Sequence, residues 1–190
     1  MHKQMTGDEH IVFDGMPTGY LLRDYWAWNS SDLLNNTLRG SFCEFVVSAS
    51  LGLDMTGVNE DWTPYDILMP GDPDIRIEVK SSAYLQAWEN SKLSSIQFSI
   101  RPTRAWSPDT GYDSKVVRQS DVYVFCVYTE TDRVVADPLV LDGWTFFVVP
   151  TRRIDAICGM QKTISLPSLL MLEPIKADYS SIKAAVLASI

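Results

Sequence analysis

Histidine is nearly missing from this chain: His2 and His10 are the only two in 190 residues, and both fall in the N-terminal stretch. Ser-His-Asp and Cys-His arrangements for nucleophilic catalysis therefore have almost no raw material. Cysteine is equally sparse. Cys43, Cys126 and Cys158 are odd in number, far apart and set among apolar neighbours, with no CxxC pair. A zinc site is not expected from them, and reduced, buried thiols in a cytoplasmic protein fit better. No apolar run approaches the roughly 18 residues of a membrane span; the longest buried-looking stretch is Val122-Tyr-Val-Phe-Cys-Val-Tyr128. The N-terminal residues lack the apolar core of a secretory signal. Positive charge is also in deficit, with 16 basic residues against 24 acidic ones and a net charge of −8. That balance argues against a protein whose main work is to coat nucleic acid, because cations drive phosphate binding. It leaves room for an enzyme with a local basic groove.

What is present is enough apolar material for a core, 46% of residues being hydrophobic and 11% aromatic. Surface scaling for this mass gives about 9,000 Å² folded against about 31,000 Å² unfolded, which supports one core better than two. The expectation is a single domain over 1–190, with its core about 30–150, an irregular N-terminal segment and a C-terminal helix. With so little histidine, any catalysis has to be run by carboxylates, lysine and a hard metal.

Residues 1–20, punctuated by Gly7, Gly15, Pro17 and Gly19, read as irregular. Asn29-Ser-Ser-Asp32 is a cluster of cap-forming residues, and the pattern from there to about Leu51 is helical, with Gly52 as terminator. Short strand-like runs follow. Tyr65–Met69 and Ile75–Lys80 flank Pro70-Gly-Asp-Pro-Asp74, a turn on composition. Ser95–Ile100 alternates, with Ile96, Phe98 and Ile100 on one face and Gln97 and Ser99 on the other. Val122–Tyr128 is apolar at nearly every position, as a central strand covered on both faces should be. Trp144–Val149 reads as a strand, Pro150–Ile157 as a short helix entered through proline, and Ser180–Ile190 as a terminal helix. Helix, strand cluster and helix in this order predict an α/β fold: a central mixed β-sheet flanked by helices.

The informative segment runs from Asp66 to Lys80. Glu78 and Lys80 are two apart, so on a strand both side chains leave the same face. A hairpin symmetric about Asp72 puts Asp66 directly opposite Glu78, with Cβ atoms roughly 5 Å apart. Two carboxylates so placed repel each other, and a divalent cation between them turns that penalty into a ligand set. A slip of one residue would send Asp66 to the other face. Asp74 follows a literal Pro73, but four residues along one strand place it about 13 Å from Glu78, too far to share an ion. The bland alternative is a surface ribbon with an incidental Glu-Val-Lys.

Glu44 sits as a lone acid in Ser41-Phe-Cys-Glu-Phe-Val-Val-Ser-Ala-Ser-Leu51. A buried, unpaired carboxylate there would cost several kcal/mol without a cation or hydrogen bonds. The alternative is an amphipathic helix with Glu44, Ser41 and Ser48 on its wet face, or Glu44 solvated by Arg39 and Ser41. Gln97, on the polar face of the following strand, is a weaker signal.

Together these pieces resemble the PD-(D/E)xK nuclease superfamily, restriction endonuclease-like in fold, over roughly residues 30–150. The resemblance is carried by a helix with an acid (Arg39-Gly-Ser-Phe-Cys-Glu44), a strand with Asp66, a strand with Glu78-Val-Lys80, the polar Gln97 and the apolar strand introduced by Asp121. Pro64-Tyr65-Asp66 stands where the family has an immediate Pro-Asp. The resemblance implies a metal-dependent nuclease hydrolysing phosphodiester bonds, with DNA as substrate. Asp66, Glu78 and the Val79 carbonyl would hold Mg²⁺ (or Mn²⁺), with Glu44 near the same or a second ion. Lys80 would orient and help deprotonate the attacking water, and Gln97 would position water or a phosphate.

Lys92, Arg101, Arg104 and Arg118 are candidate contacts to a nucleic-acid backbone, and Tyr84, Trp88 and Trp106 are candidates to stack or pack. A mixed, solvated face is the bland reading of the same basic stretch. Two other functions compete. A catalytically silent binding or assembly module of the same fold is favoured by the acidic charge, which also leaves room for a homodimer or a protein partner. Glycoside hydrolysis by paired carboxylates fits less well, because one hairpin rung is too close for a bridged sugar.

Overall fold

The computed structural model describes residues 3–59, 63–88, 92–107, 109 and 111–190. In chain order its elements are β1 (His10–Phe13), β2 (Met16–Leu21), α1 (Leu22–Ser30), α2 (Asn36–Leu51), β3 (Ile67–Met69), β4 (Ile75–Ala83) and β5 (Gln97–Ser99). There follow β6 (Trp106–Ser107), β7 (Gly111–Tyr112), β8 (Val122–Tyr128), β9 (Trp144–Pro150), α3 (Thr151–Cys158), β10 (Thr163–Ser165), α4 (Leu166–Leu170), β11 (Ile175–Ala177) and α5 (Ile182–Ser189). The centre is a five-stranded mixed sheet in the order β11-β9-β8-β4-β3. Only β4 and β8 are parallel; the other neighbours run antiparallel. The predicted mixed-sheet α/β fold is therefore what the chain adopts.

Alternation along the strands divides the interior into two cores. Ile77 and Val79 of β4, with Val122, Val124 and Cys126 of β8, point to the side covered by α2 and α5. Tyr123, Phe125 and Val127 point the other way, onto Ile96, Phe98 and Ile100, the ribbon of β5 with β10, and Ile154 of α3. Every residue of β8 is buried, which explains why that strand carries no alternation of polar and apolar residues. β5 alternates as its sequence predicts, with Phe98 buried and Gln97 and Ser99 exposed.

Two expectations are corrected. Residues 10–21 form an antiparallel hairpin, β1 with β2, where an irregular segment was expected; residues 1 and 2, His2 among them, lie outside the described residues. Asp14 and Gly15, both at positive φ, turn that hairpin. The cap cluster at 29–32 ends one helix, α1, and the next is capped by Asn35, whose side chain accepts from the Thr37 and Leu38 N–H groups. At the other end of α2, Gly52 takes the left-handed conformation at φ 75° and donates to the Ala49 carbonyl.

The accessible surface is 12,106 Å², well above the roughly 9,000 Å² that the chain's mass predicts. Part of the surplus lies at the N-terminus. β1 is exposed along its length, α1 buries none of its residues, and Phe13, Met16 and Trp28 stand in solvent. Among the described residues no helix is long and apolar enough to cross a membrane.

Candidate active site

β3 and β4 pair in the register Ile67↔Ile77, Leu68↔Arg76 and Met69↔Ile75, symmetric about Asp72. The turn between them is held by the Gly71 N–H, which donates to Asp74 Oδ1 at 2.9 Å. Regular pairing stops at Ile67. The Asp66 N–H donates to the Ile77 carbonyl at 3.1 Å, and the Asp66 side chain continues across the gap. Its Oδ2 accepts from the Val79 N–H at 2.7 Å, standing in for the backbone partner that β4 would otherwise have there. Asp66 is thus fixed by the strand it faces.

Glu78 and Lys80 leave the same side of β4, and their side chains meet: Lys80 Nζ is 2.6 Å from Glu78 Oε1 and 3.4 Å from Asp66 Oδ2. One ammonium therefore bridges a carboxylate on β4 and a carboxylate on the residue just ahead of β3. The three side chains keep only 19–28% of their surface exposed. Burial by itself would lower the Lys80 pKa; the charges of Asp66 and Glu78 and their hydrogen bonds outweigh it, so the group is held above the ordinary lysine range. The second Glu78 oxygen, Oε2, accepts from Ser120 Oγ at 3.0 Å. Tyr123, opposite Glu78 in the β4–β8 register, has its phenol pushed well up by burial and by the Glu78 charge, which keeps it a neutral wall.

The other sequence-predicted residues are distributed around this group. Val79 faces α2 with its side chain, but its N–H points at Asp66. A strand residue turns N–H and C=O to the same side, so its carbonyl also looks past the end of β3. Glu44 is half-buried on α2 and lines, with Asp66, Phe45 and Asn59, a cavity of about 470 Å³. Glu44 Oε2 accepts from Asn59 Nδ2 at 3.3 Å. Arg39, one candidate to solvate Glu44, turns instead to the Leu34 carbonyl and to Asn36. Gln97 reaches β4 through its backbone, its N–H donating to Ser82 Oγ at 3.4 Å, while the residue itself is exposed on the outer face of β5. The structure therefore brings together Asp66, Glu78, Val79 and Lys80, sets Glu44 across a cavity shared with Asp66, and leaves the Gln97 side chain outside the group, exposed on β5.

Of the basic candidates, Lys92, Arg101 and Arg104 are exposed. Arg118 is corrected: it is buried, and its guanidinium donates to the carbonyls of Ile100, Gly159 and Gln161 and pairs with Asp155. It ties the β5 ribbon to α3 and offers nothing to a phosphate. Trp88 and Trp106 are exposed, and Tyr84 packs against the second core. Ser120 is the site residue that sequence reasoning missed. Its only signal was position, two residues before the apolar run, and that acquires meaning once Ile77 is known to lie beside Val122.

The donor chemistry suits a hard divalent cation. Two carboxylates and a backbone carbonyl are all oxygen, and the carboxylates already converge on one positive charge. Among the described residues no three His, Cys, Asp or Glu side chains gather as a metal-binding cluster, so Glu44 does not close in on Asp66 and Glu78 as a third ligand.

Comparison with curated proteins and with solved structures finds no match to this chain. The family model of bacteriophage T4 endonuclease IV, in contrast, matches residues 18–166, more than half of the chain and a span that contains Glu44, Asp66, Glu78, Val79, Lys80 and Gln97. A match over so much of the sequence shows the family: the chain belongs to the bacteriophage T4 endonuclease IV family.

Proposed function

We propose that the chain is a divalent-metal-dependent nuclease of the PD-(D/E)xK type that hydrolyses phosphodiester bonds of DNA, with its centre at Asp66, Glu78 and Lys80. The observation that carries this reading is the single Lys80 ammonium shared by Glu78 on β4 and by Asp66 at the entry to β3. Membership of an endonuclease family supports the class of reaction.

In this reading Asp66, Glu78 and the Val79 carbonyl hold Mg²⁺ or Mn²⁺, which when bound polarises a phosphate oxygen and acidifies a coordinated water. Ser120 steadies Glu78 through Oε2, leaving Oε1 to the site. Lys80, freed from part of its pairing once positive charge is supplied beside it, turns its ammonium to the water and to the charge that develops on the phosphate. The water oxygen forms the new bond to phosphorus and releases its proton to solvent, the ester P–O bond breaks, and the departing oxygen takes up a proton from solvent. Glu44 acts from the α2 side of the shared cavity on the same ion or a second one. Gln97 offers its amide to water or to a phosphate at the rim.

A supercoiled plasmid incubated with Mg²⁺ tests this directly. The parent protein should nick it, and Lys80→Ala should lower the rate at least about a hundredfold, the scale on which loss of one preorganised charge acts. Equal nicking by both proteins refutes the role given to Lys80. No cleavage by the parent with either Mg²⁺ or Mn²⁺ at low salt would favour a silent binding module. Crystals soaked in Mn²⁺ should show an anomalous peak between Asp66 and Glu78.

A further inference from the structure

Six of the nine arginines are tied to protein partners: Arg23, Arg39, Arg76, Arg118, Arg133 and Arg153 all donate to side chains or carbonyls. Arg101 and Arg104 are not, and neither has an acidic partner among the described residues. Both line one open concavity of about 640 Å³ together with Pro102, Thr103, Tyr112 and Val116, a lining without a carboxylate among the described residues in a chain of net charge −8. Tyr112 is 70% exposed there. The nearby acid Asp113 is turned onto its own loop, its Oδ1 accepting from the Lys115 N–H and from Ser114 Oγ.

The concavity belongs to the excursion between β5 and β8, and both feet of that excursion stand beside the site. Thr103 and Val117 exchange backbone hydrogen bonds at 2.9 and 3.0 Å, closing it. Buried Arg118 then anchors it, and Ser120, three residues after Val117 and so about 10 Å along extended chain, holds Glu78. At the other foot, the Gln97 N–H reaches Ser82, two residues beyond Lys80 on the same face of β4.

We propose that the surface of Arg101, Arg104 and Tyr112 holds the substrate strand outside the reacting centre, with phosphates on the two guanidiniums and a base against the phenol ring. Guanidinium forks suit phosphate oxygens, and an exposed aromatic ring accepts any base on its face. This rests on the nuclease reading and adds to it a second zone of contact along the strand.

Binding is measured by fluorescence anisotropy, with Lys80→Ala as parent and a labelled phosphorothioate DNA oligonucleotide as probe, across a salt series. The double variant Arg101→Gln/Arg104→Gln should raise Kd at least tenfold and flatten the slope of log Kd against log salt by about 1.5, two phosphate contacts' worth. Tyr112→Ala should raise Kd about fivefold or more, and Tyr112→Phe should restore parental binding. Arg23→Ala, which removes an exposed arginine already paired with Asp8, serves as the control for loss of surface charge and should leave Kd and slope unchanged. Parental Kd and slope in the Arg101/Arg104 variant overturn the proposal, as does an equal loss in Arg23→Ala. Continued plasmid cleavage by Lys80→Ala would instead sink the catalytic assignment while leaving this binding readout intact.

Discussion

Lys80 Nζ lies 2.6 Å from Glu78 Oε1, two residues back on the same strand, and 3.4 Å from Asp66 Oδ2 at the entry to the strand beside it. The pairing joins a same-strand neighbour to a cross-strand neighbour, so the ammonium serves as the electrostatic keystone of the β3–β4 edge. Without a cation between them, two largely buried carboxylates on adjacent strands oppose that edge.

Lys80→Ala should therefore lose stability as well as cleavage. Removing the ammonium leaves Asp66 and Glu78 facing each other, at a cost on the order of 1–2 kcal/mol after solvent screening, or a few degrees in Tm. Millimolar Mg²⁺ should return most of that loss in the variant and add less to the parent. Thermal melts with and without Mg²⁺ read the difference, and a variant whose Tm ignores Mg²⁺ speaks against a cation at this edge.

Ser120→Ala removes the donor to Glu78 Oε2 without adding bulk. Glu78 should then wander, and the Mg²⁺ concentration for half-maximal cleavage should rise about tenfold, the usual scale for losing a partner that orients a ligand. Titrating Mg²⁺ in the nicking assay checks this, with Ser120→Thr expected to lie nearer the parent.

Asp121 gives a pH signature away from the centre. Its carboxylate is held below the ordinary aspartate range chiefly by hydrogen bonding from the Arg76 guanidinium, whose Nε and Nη2 donate at 3.0 and 2.7 Å. A folded-state pKa below the unfolded one contributes stability above the unfolded value and loses it as pH falls through the folded value. Asp121→Asn should thus melt earlier than the parent near neutrality, by about 1 kcal/mol for a pair this exposed. The gap should narrow below about pH 4. Melts from pH 3 to 7 would reveal a constant gap if the pairing were idle.

Arg118→Met tests the buried arginine. Three backbone carbonyls and Asp155 depend on it, so the loss should be on the order of 3 kcal/mol, with Arg118→Lys recovering only part because ammonium lacks the planar fork. Hydrogen exchange should rise first beside β5 and at the end of α3.

Much of this arrangement could be read before any coordinates. Glu78 and Lys80 share a face because strand side chains alternate, and the Asp66 register followed from a turn centred on Asp72; both depend on period and symmetry alone. The all-apolar run of β8 announced its place between two cores. What could not be read depends on long-range partners. Arg118 is spelled like a surface cation and is buried because three carbonyls, two of them about forty residues onward, need a donor. Ser120 gained its role from a parallel pairing across more than forty residues. The N-terminal hairpin was hidden by its glycines, two of which, Gly15 and Gly19, take the positive φ values that permit it.

The division of labour along β4 has an evolutionary corollary. Odd-numbered positions Ile77 and Val79 fill the interior under α2, and even-numbered Glu78 and Lys80 form the ion pair on the other face, so no position in that stretch is spare. Length changes should consequently accumulate in the 70–74 loop, where an added residue leaves the parity of the strand alone. A single insertion between 75 and 80 would trade grease for charge on both sides at once.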